Sequence, residues 1–437
     1  MGMTLHVLSA GKGYQYLTKS IVSGDVQRKP GQTLSNYYAG EHGTPPGQWC
    51  GKGAQSLGLS GQITEEQISF LYGKGMHPNS KENIEKLVAE GKSFEQAQKA
   101  QYLGNKYALY EARRGGVIED ICKAIDSAEK ELGRVLTKEE ESDIGIKVGR
   151  KQFTEKFGRP PEDSHEVERW IWTEEKRART STAGYDATFS PSKSISVLWA
   201  LGDEEIRRAI EIAHNKAVDH CINLIEKEAA FSRTGHNGIQ IDTEGITVSK
   251  FMHYDTRAGD MDLHTHCVIS NKVLCVDGKY RALDGRALFN LSAVAGSEYN
   301  SVLTNELRNS LGVSFVAIDH GKNKQAVQEI AGIDPVLIEQ FSKRSQTIEK
   351  QAQKLYAEYR EKYGREPSDL LKLQLRQQAN IETRQAKDEV PHSFNELNDK
   401  WSQEACRTLG IPSTQEELQN YLKLGRQNTF YTPKEFN

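Results

Sequence analysis

"ITVSKFMHYDTRAGDMDLHTHCVIS", residues 246–270, reads as two strands joined by a short turn. Side chains two apart on a strand share a face, so His264 and His266 stand together while Leu263, Thr265 and Cys267 point the other way. On the preceding strand Ile246, Val248 and Met252 alternate with Thr247, Ser249 and His253. "TRAGDM" (256–261) supplies the Gly and Asp of a hairpin loop. A hairpin symmetric about the midpoint between Ala258 and Gly259 sets His253 opposite His264, within about 5.5 Å at Cβ. Three imidazoles then converge from two adjacent strands. His-x-His alone is more often explained by packing or solvation. The third histidine favours a catalytic divalent cation, for which an open three-histidine set is suited.

Outward from the hairpin, "GYDATFSPSKSISVLWAL" (184–201) reads as sheet sequence ending in alternating Ile195, Val197 and Trp199. A helix capped by Asp203 follows, with apolar residues three and four apart over 203–229. Past the histidines, "NKVLCVDGKYRAL" (271–283) carries a second tight turn at "DG", and a helix is expected over 292–312. Further helices are expected over 334–364 and 364–380, and the last stretch, 391–437, reads as polar and peripheral. This order of elements predicts an α+β fold, an antiparallel sheet with helices packed on it. Near the N-terminus "TEEQISFLYG" looks like a helix start at Thr64. From about 78 to 178 the sequence is rich in Ala, Glu and Lys with helical periodicity, Leu87, Phe94 and Ala97 falling on the inward side. The expected divisions are 1–72 and 180–412 for one sheet-bearing core, 73–179 for a mainly helical insertion, and 413–437 for a peripheral tail.

The bulk numbers describe a water-soluble chain: 437 residues, 37% hydrophobic, 27% charged, formal net charge −3. No apolar run has the length of a membrane span and the first residues lack a signal peptide's pattern, so the expected location is cytoplasmic. Six cysteines without Cys-x-x-Cys spacing indicate neither a zinc ribbon nor a disulfide framework. No G-x-x-x-x-G-K-[ST] occurs, which argues against a nucleotide-driven motor in this chain. The slight negative charge leaves nucleic-acid binding open, since phosphate affinity depends on where basic residues lie.

Two tyrosine clusters precede these elements, Tyr14 with Tyr16 and Tyr37 with Tyr38. Tyrosine clusters usually mean core. A phenol can also attack a phosphodiester if a base takes its proton and a metal draws charge from the phosphate. In this setting "YYAGEHGTPPGQWCGKGAQSLGLSG" (37–61), "GYDATFSPSKSISVL" (184–198), "HYDTRAGDMDLHTHCVI" (253–269) and "EQFSKRSQTIE" (339–349) together resemble the relaxase domain of TrwC/TraI-type (MobF-family) conjugative relaxases, which are HUH endonucleases.

The resemblance covers about 1–72 and 180–410 and implies a two-layer HUH core. It also implies an enzyme that nicks one DNA strand at a plasmid transfer origin, keeps the 5′ phosphate on a tyrosine and later rejoins the ends. It implies Mg²⁺ or Mn²⁺ on His253, His264 and His266, and Asp186 bonded to a ligand histidine or helping to deprotonate the tyrosine. Family members carry two Tyr-Tyr pairs. Here the earlier pair is replaced by Tyr14-Gln-Tyr16; because Tyr16 follows "SAG" at the spacing family sequences show, the resemblance ranks the nucleophiles as Tyr16, then Tyr38, Tyr37 and Tyr14. Lys193, Arg281, Lys343 and Arg344 fall on matching motifs as DNA contacts. The expected partners are single-stranded and hairpin origin DNA, with accessory relaxosome and coupling proteins. Competing expectations are a rolling-circle replication initiator, a non-catalytic DNA-binding assembly protein, and a small-molecule metallohydrolase.

Overall fold

The computed structural model describes residues 2–18, 45–110, 116–177, 179–256, 258–319, 326–384 and 393–427. Its centre is a five-stranded antiparallel sheet built from β1 (Met3–Ser9), β2 (Gln48–Cys50), β3 (Thr182–Phe189), β4 (Val248–Asp255) and β5 (Met261–Ser270). The spatial order is β1-β3-β5-β4-β2. The histidine hairpin therefore occupies the middle, with the strand carrying Asp186 on one side and a short edge strand on the other. In the β4–β5 register His253 pairs with His264, and the pairing slips by one residue toward the turn, where Asp255 meets Met261. Gly259 takes φ +75° there, a conformation cheap only for a residue without Cβ.

One face of the sheet carries the main core. Leu263, Cys267 and Ile269 of β5 and Val248, Met252 and Tyr254 of β4 pack with helices α2 (Lys193–Leu201), α3 (Glu204–Glu228), α4 (Gly285–Leu311), α5 (Phe394–Leu409) and α6 (Gln415–Gln427). The opposite face is covered by a thinner layer from the N-terminal segment, in which Tyr14, Leu17, Trp49 and Tyr72 bury against Phe251 and Val268. Thr64 begins a helix with Gln67 completing a reciprocal cap, and the chain then widens into a π-turn over Ser69–Lys74.

Three expectations need correction. Residues 193–201 form a helix rather than the end of a strand, because every side chain from Ser194 to Leu201 is buried and burial on all sides removes the polar face that marks a helix in sequence. Of the stretch expected to be peripheral, residues 393–427 are not: Phe394, Leu397, Trp401, Ala405, Cys406, Leu418 and Leu422 all enter the main core. These apolar residues recur at helical spacing, and a stripe needs only a minority of positions to seal a core. The helix expected over 334–364 is two, Pro335–Gln340 and Lys343–Tyr363, and "NKVLCVDGKYRAL" forms a separate two-stranded ribbon.

The charged segment is helical, with helices at Ser80–Ala89, Phe94–Lys99, Val117–Leu132, Lys138–Phe157 and Ser164–Arg177. It has small cores of its own, one of which includes Phe94 and Ala97 with Leu87 against them. No helix among the described residues is long and apolar enough to cross a membrane.

Trp199 links the layers. Its indole is fully buried between Tyr254 and Phe394, and its Nε1 donates to Glu211 at 3.1 Å. Trp199→Ala is expected to cost about 3–5 kcal/mol of stability, read as a lower urea midpoint at unchanged slope.

Candidate active site

Alternation along β5 lifts His264 and His266 off the sheet on the thinly covered face, and cross-strand pairing brings His253 to them. The three rings form a triangle, with centroids 5.4 Å apart for His253 and His264, 5.1 Å for His253 and His266, and 5.2 Å for His264 and His266. One ring nitrogen from each lies within 4.8 Å of the other two. His264 Nδ1 faces the Asp262 carbonyl oxygen at 2.7 Å, and His266 Nδ1 faces both Asp186 oxygens at 2.8 and 3.0 Å. In each ring the bond at Nδ1 leaves Nε2 as the lone-pair nitrogen. Burial lowers the His264 pKa, which favours the neutral imidazole that a metal requires. The donor set thus fits a divalent cation.

Asp186 reaches this triangle because β3 pairs with β5, setting Asp186 opposite Val268 and Thr188 opposite His266. Burial works to raise the Asp186 carboxyl, but bonds from His266, Tyr16 and Thr188 outweigh it and hold it below the usual carboxylate range. The Tyr16 hydroxyl donates to Asp186 Oδ2. Tyr16 sits on a four-residue helix, α1 in the chain (Gln15–Thr18), and stacks edge-on to His266 with centroids 5.8 Å apart. Its ring is 36% exposed. Burial of the hydroxyl end and then the Asp186 charge push the phenol up, so at rest it is a neutral donor. The face therefore presents, in contact, a tyrosine hydroxyl, its carboxylate acceptor and a three-imidazole cluster.

Tyr14 does not join them; it is buried in the N-terminal layer against Gly73. Tyr37 and Tyr38 lie outside the described residues. The four basic residues are engaged elsewhere. Lys193 Nζ donates to the Met261 carbonyl at 2.8 Å, and Lys343 Nζ bonds Glu404 at 2.6 Å and lies 3.4 Å from Asp260. Arg281 makes a bidentate pair with Asp277 at 2.6 and 2.7 Å, and Arg344 grips Thr383 and Asn380 at the end of the helix Asp369–Glu382.

Several residues of this neighbourhood were not singled out from the sequence. Thr188 bonds both Asp186 and His266. His6, exposed on the edge strand, is paired directly with Asp186 and so shares its face. Behind the sheet, Thr265 between the two histidines meets His214 at 2.7 Å, and His214 meets the Tyr299 hydroxyl at 2.7 Å. Burial pushes His214 down to about 3, keeping this brace neutral. Only the β1–β3 register could have flagged His6, and a lone histidine in a helix gives no signal for His214.

The comparisons agree with this fold. In solved structures, the conjugative relaxase TrwC in complex with oriT DNA and copper matches with a TM-score of 0.52 at 23% identity, over 94% of this chain and 100% of that one. TrwC with a 27-mer DNA comprising the recognition hairpin and the cleavage site matches with a TM-score of 0.50 over the same shares, also at 23% identity. The multifunctional conjugation protein TraI of Escherichia coli is 30% identical over 216 residues, 47% of this chain and 11% of that protein. TraI of strain K12 is 29% identical over 212 residues, with the same shares. The chain thus spans about a tenth of the length of these relatives. The sequence model of the TrwC relaxase family matches residues 10–408, and on that match the chain belongs to the TrwC relaxase family.

Proposed function

We propose that this chain nicks one DNA strand at a plasmid transfer origin and later reseals it, by transesterification through Tyr16. The observation that carries the reading is the hydrogen bond from the Tyr16 hydroxyl to Asp186, a carboxylate that also accepts from the imidazole of His266. Tyr16 Oη attacks the scissile phosphorus, the P–O3′ bond breaks, and the 5′ phosphate stays on the tyrosine while the 3′ end leaves as a hydroxyl. Asp186 receives the phenolic proton, which is then available to the leaving oxygen. Rejoining is the reverse, with the 3′ hydroxyl attacking the phosphotyrosine. A divalent cation on His253, His264 and His266, Mg²⁺ or Mn²⁺, would polarise the phosphate and stabilise charge on its non-bridging oxygens.

The substrate proposed is single-stranded DNA beside a hairpin, on the strength of family membership and of the oriT DNA held by the TrwC structures. Lys343 and Arg344, at the start of a helix whose first amide bonds Asp260 in the hairpin turn, are the proposed phosphate contacts. Relaxosome and coupling proteins are the proposed partners and the cytoplasm the proposed location.

The test is a denaturing-gel assay with single-stranded oligonucleotides spanning the transfer origin. A protein–DNA adduct that forms with Mg²⁺ or Mn²⁺ and not with EDTA is expected. Binding without cleavage or adduct on any such strand would leave an assembly protein in place of an enzyme.

A further inference from the structure

Lys193 occupies a costly position. It is the first residue of α2, where the helix dipole disfavours a cation, on a helix otherwise fully buried. Its side chain is 14% exposed, and its ammonium is spent inside the protein, 2.8 Å from the Met261 carbonyl and 3.4 Å from Asp262 Oδ1. The Lys343 side chain is 38% exposed and can turn to a phosphate, whereas the Lys193 head group is committed to the strand that carries the histidines.

Asp262 partners His264 from the same strand, through its backbone rather than its carboxylate. Its carbonyl oxygen accepts from His264 Nδ1 at 2.7 Å, and its other carboxylate oxygen lies 3.6 Å from the same nitrogen. Lys193 therefore holds both the carbonyl before Asp262 and the Asp262 carboxylate. The turn just upstream is fixed as well: the Trp401 indole donates to the Gly259 carbonyl at 2.8 Å and the Lys343 amide to Asp260 at 2.8 Å. Lys193 adds a third hold, at residues 261–262.

We propose that Lys193 is a positioning residue of the metal centre, holding Asp262 so that His264 keeps its Nε2 turned to the ion. The inference rests on the reading of the three histidines as a metal site. It reassigns Lys193 from the DNA interface to the support of a ligand.

The experiment uses the full chain: calorimetric titration with Mn²⁺ alone for the unaltered protein, Lys193→Met, Lys193→Arg and His264→Ala. In parallel, fluorescence anisotropy measures binding of a single-stranded origin oligonucleotide in EDTA. Lys193→Met is expected to bind Mn²⁺ about tenfold more weakly, as losing an outer partner of a ligand does elsewhere. Lys193→Arg should recover most of that affinity, and oligonucleotide binding in EDTA should not change. Unchanged Mn²⁺ affinity in Lys193→Met, with or without weaker DNA binding, overturns the proposal. Should Lys193→Met fail to fold, Lys193→Gln takes its place, and full Mn²⁺ affinity there overturns it equally. If the unaltered protein and His264→Ala bind Mn²⁺ alike, the metal reading itself fails, an outcome distinct from a metal site indifferent to Lys193.

Discussion

Tyr16→Phe is expected to abolish the covalent DNA adduct, lowering its rate of formation on the order of 10³-fold or more, as loss of a nucleophile does in enzymes of comparable design. The change removes one oxygen. The ring remains edge-on to His266, and among the described residues the bond lost is the one to Asp186. DNA affinity and folding should therefore persist, which separates a chemical role from a structural one. Tyr14→Phe is the matched control. Its ring belongs to the N-terminal layer, so adduct formation should continue at near the original rate. An adduct that survives Tyr16→Phe and disappears in Tyr37→Phe or Tyr38→Phe would move the nucleophile to the second cluster.

His266→Ala carries the second large effect. This imidazole contributes to the three-nitrogen cluster, packs edge-to-face with Tyr16, and hydrogen-bonds Asp186 at 2.8 Å. Its loss should weaken Mn²⁺ binding by more than the roughly 10–100-fold that losing an outer partner costs. Cleavage should fall with it, including at Mn²⁺ concentrations that saturate the unaltered protein. The residual activity should not respond to EDTA. Unaltered Mn²⁺ affinity in calorimetry would show that the triangle does not hold the ion.

How much of this was legible in the sequence depended on the range of the interaction. The pairing of His253 with His264 is local: a short glycine-containing loop and two alternating strands leave one register that keeps the apolar residues together. The contact between Tyr16 and Asp186 spans 170 residues and exists only because β1 pairs with β3, which no local pattern announces. Resemblance to a family placed both residues in one site before geometry did. Residues 193–201 were misread because an apolar run buried all round has no period. Residues 394–427 were misread because their polar majority hid a stripe at helical spacing. The basic residues stood out as charges, while the acids and carbonyls that hold Lys193, Arg281 and Arg344 come from elsewhere in the chain or across a turn.

The strand order has a consequence for how the site comes apart. β5 is hydrogen-bonded on both sides, with β3 and β4 as neighbours, and the main core backs it. Its amides open only when the domain does. Tyr16 belongs to a single helical turn at the rim of the sheet, anchored by Tyr14 and Leu17, and such a turn opens at a smaller free energy than a central strand. The imidazoles and Tyr16 thus sit on parts of unequal permanence. On the proposed chemistry, a DNA end carried on Tyr16 would leave the sheet and return while the imidazoles stay in register.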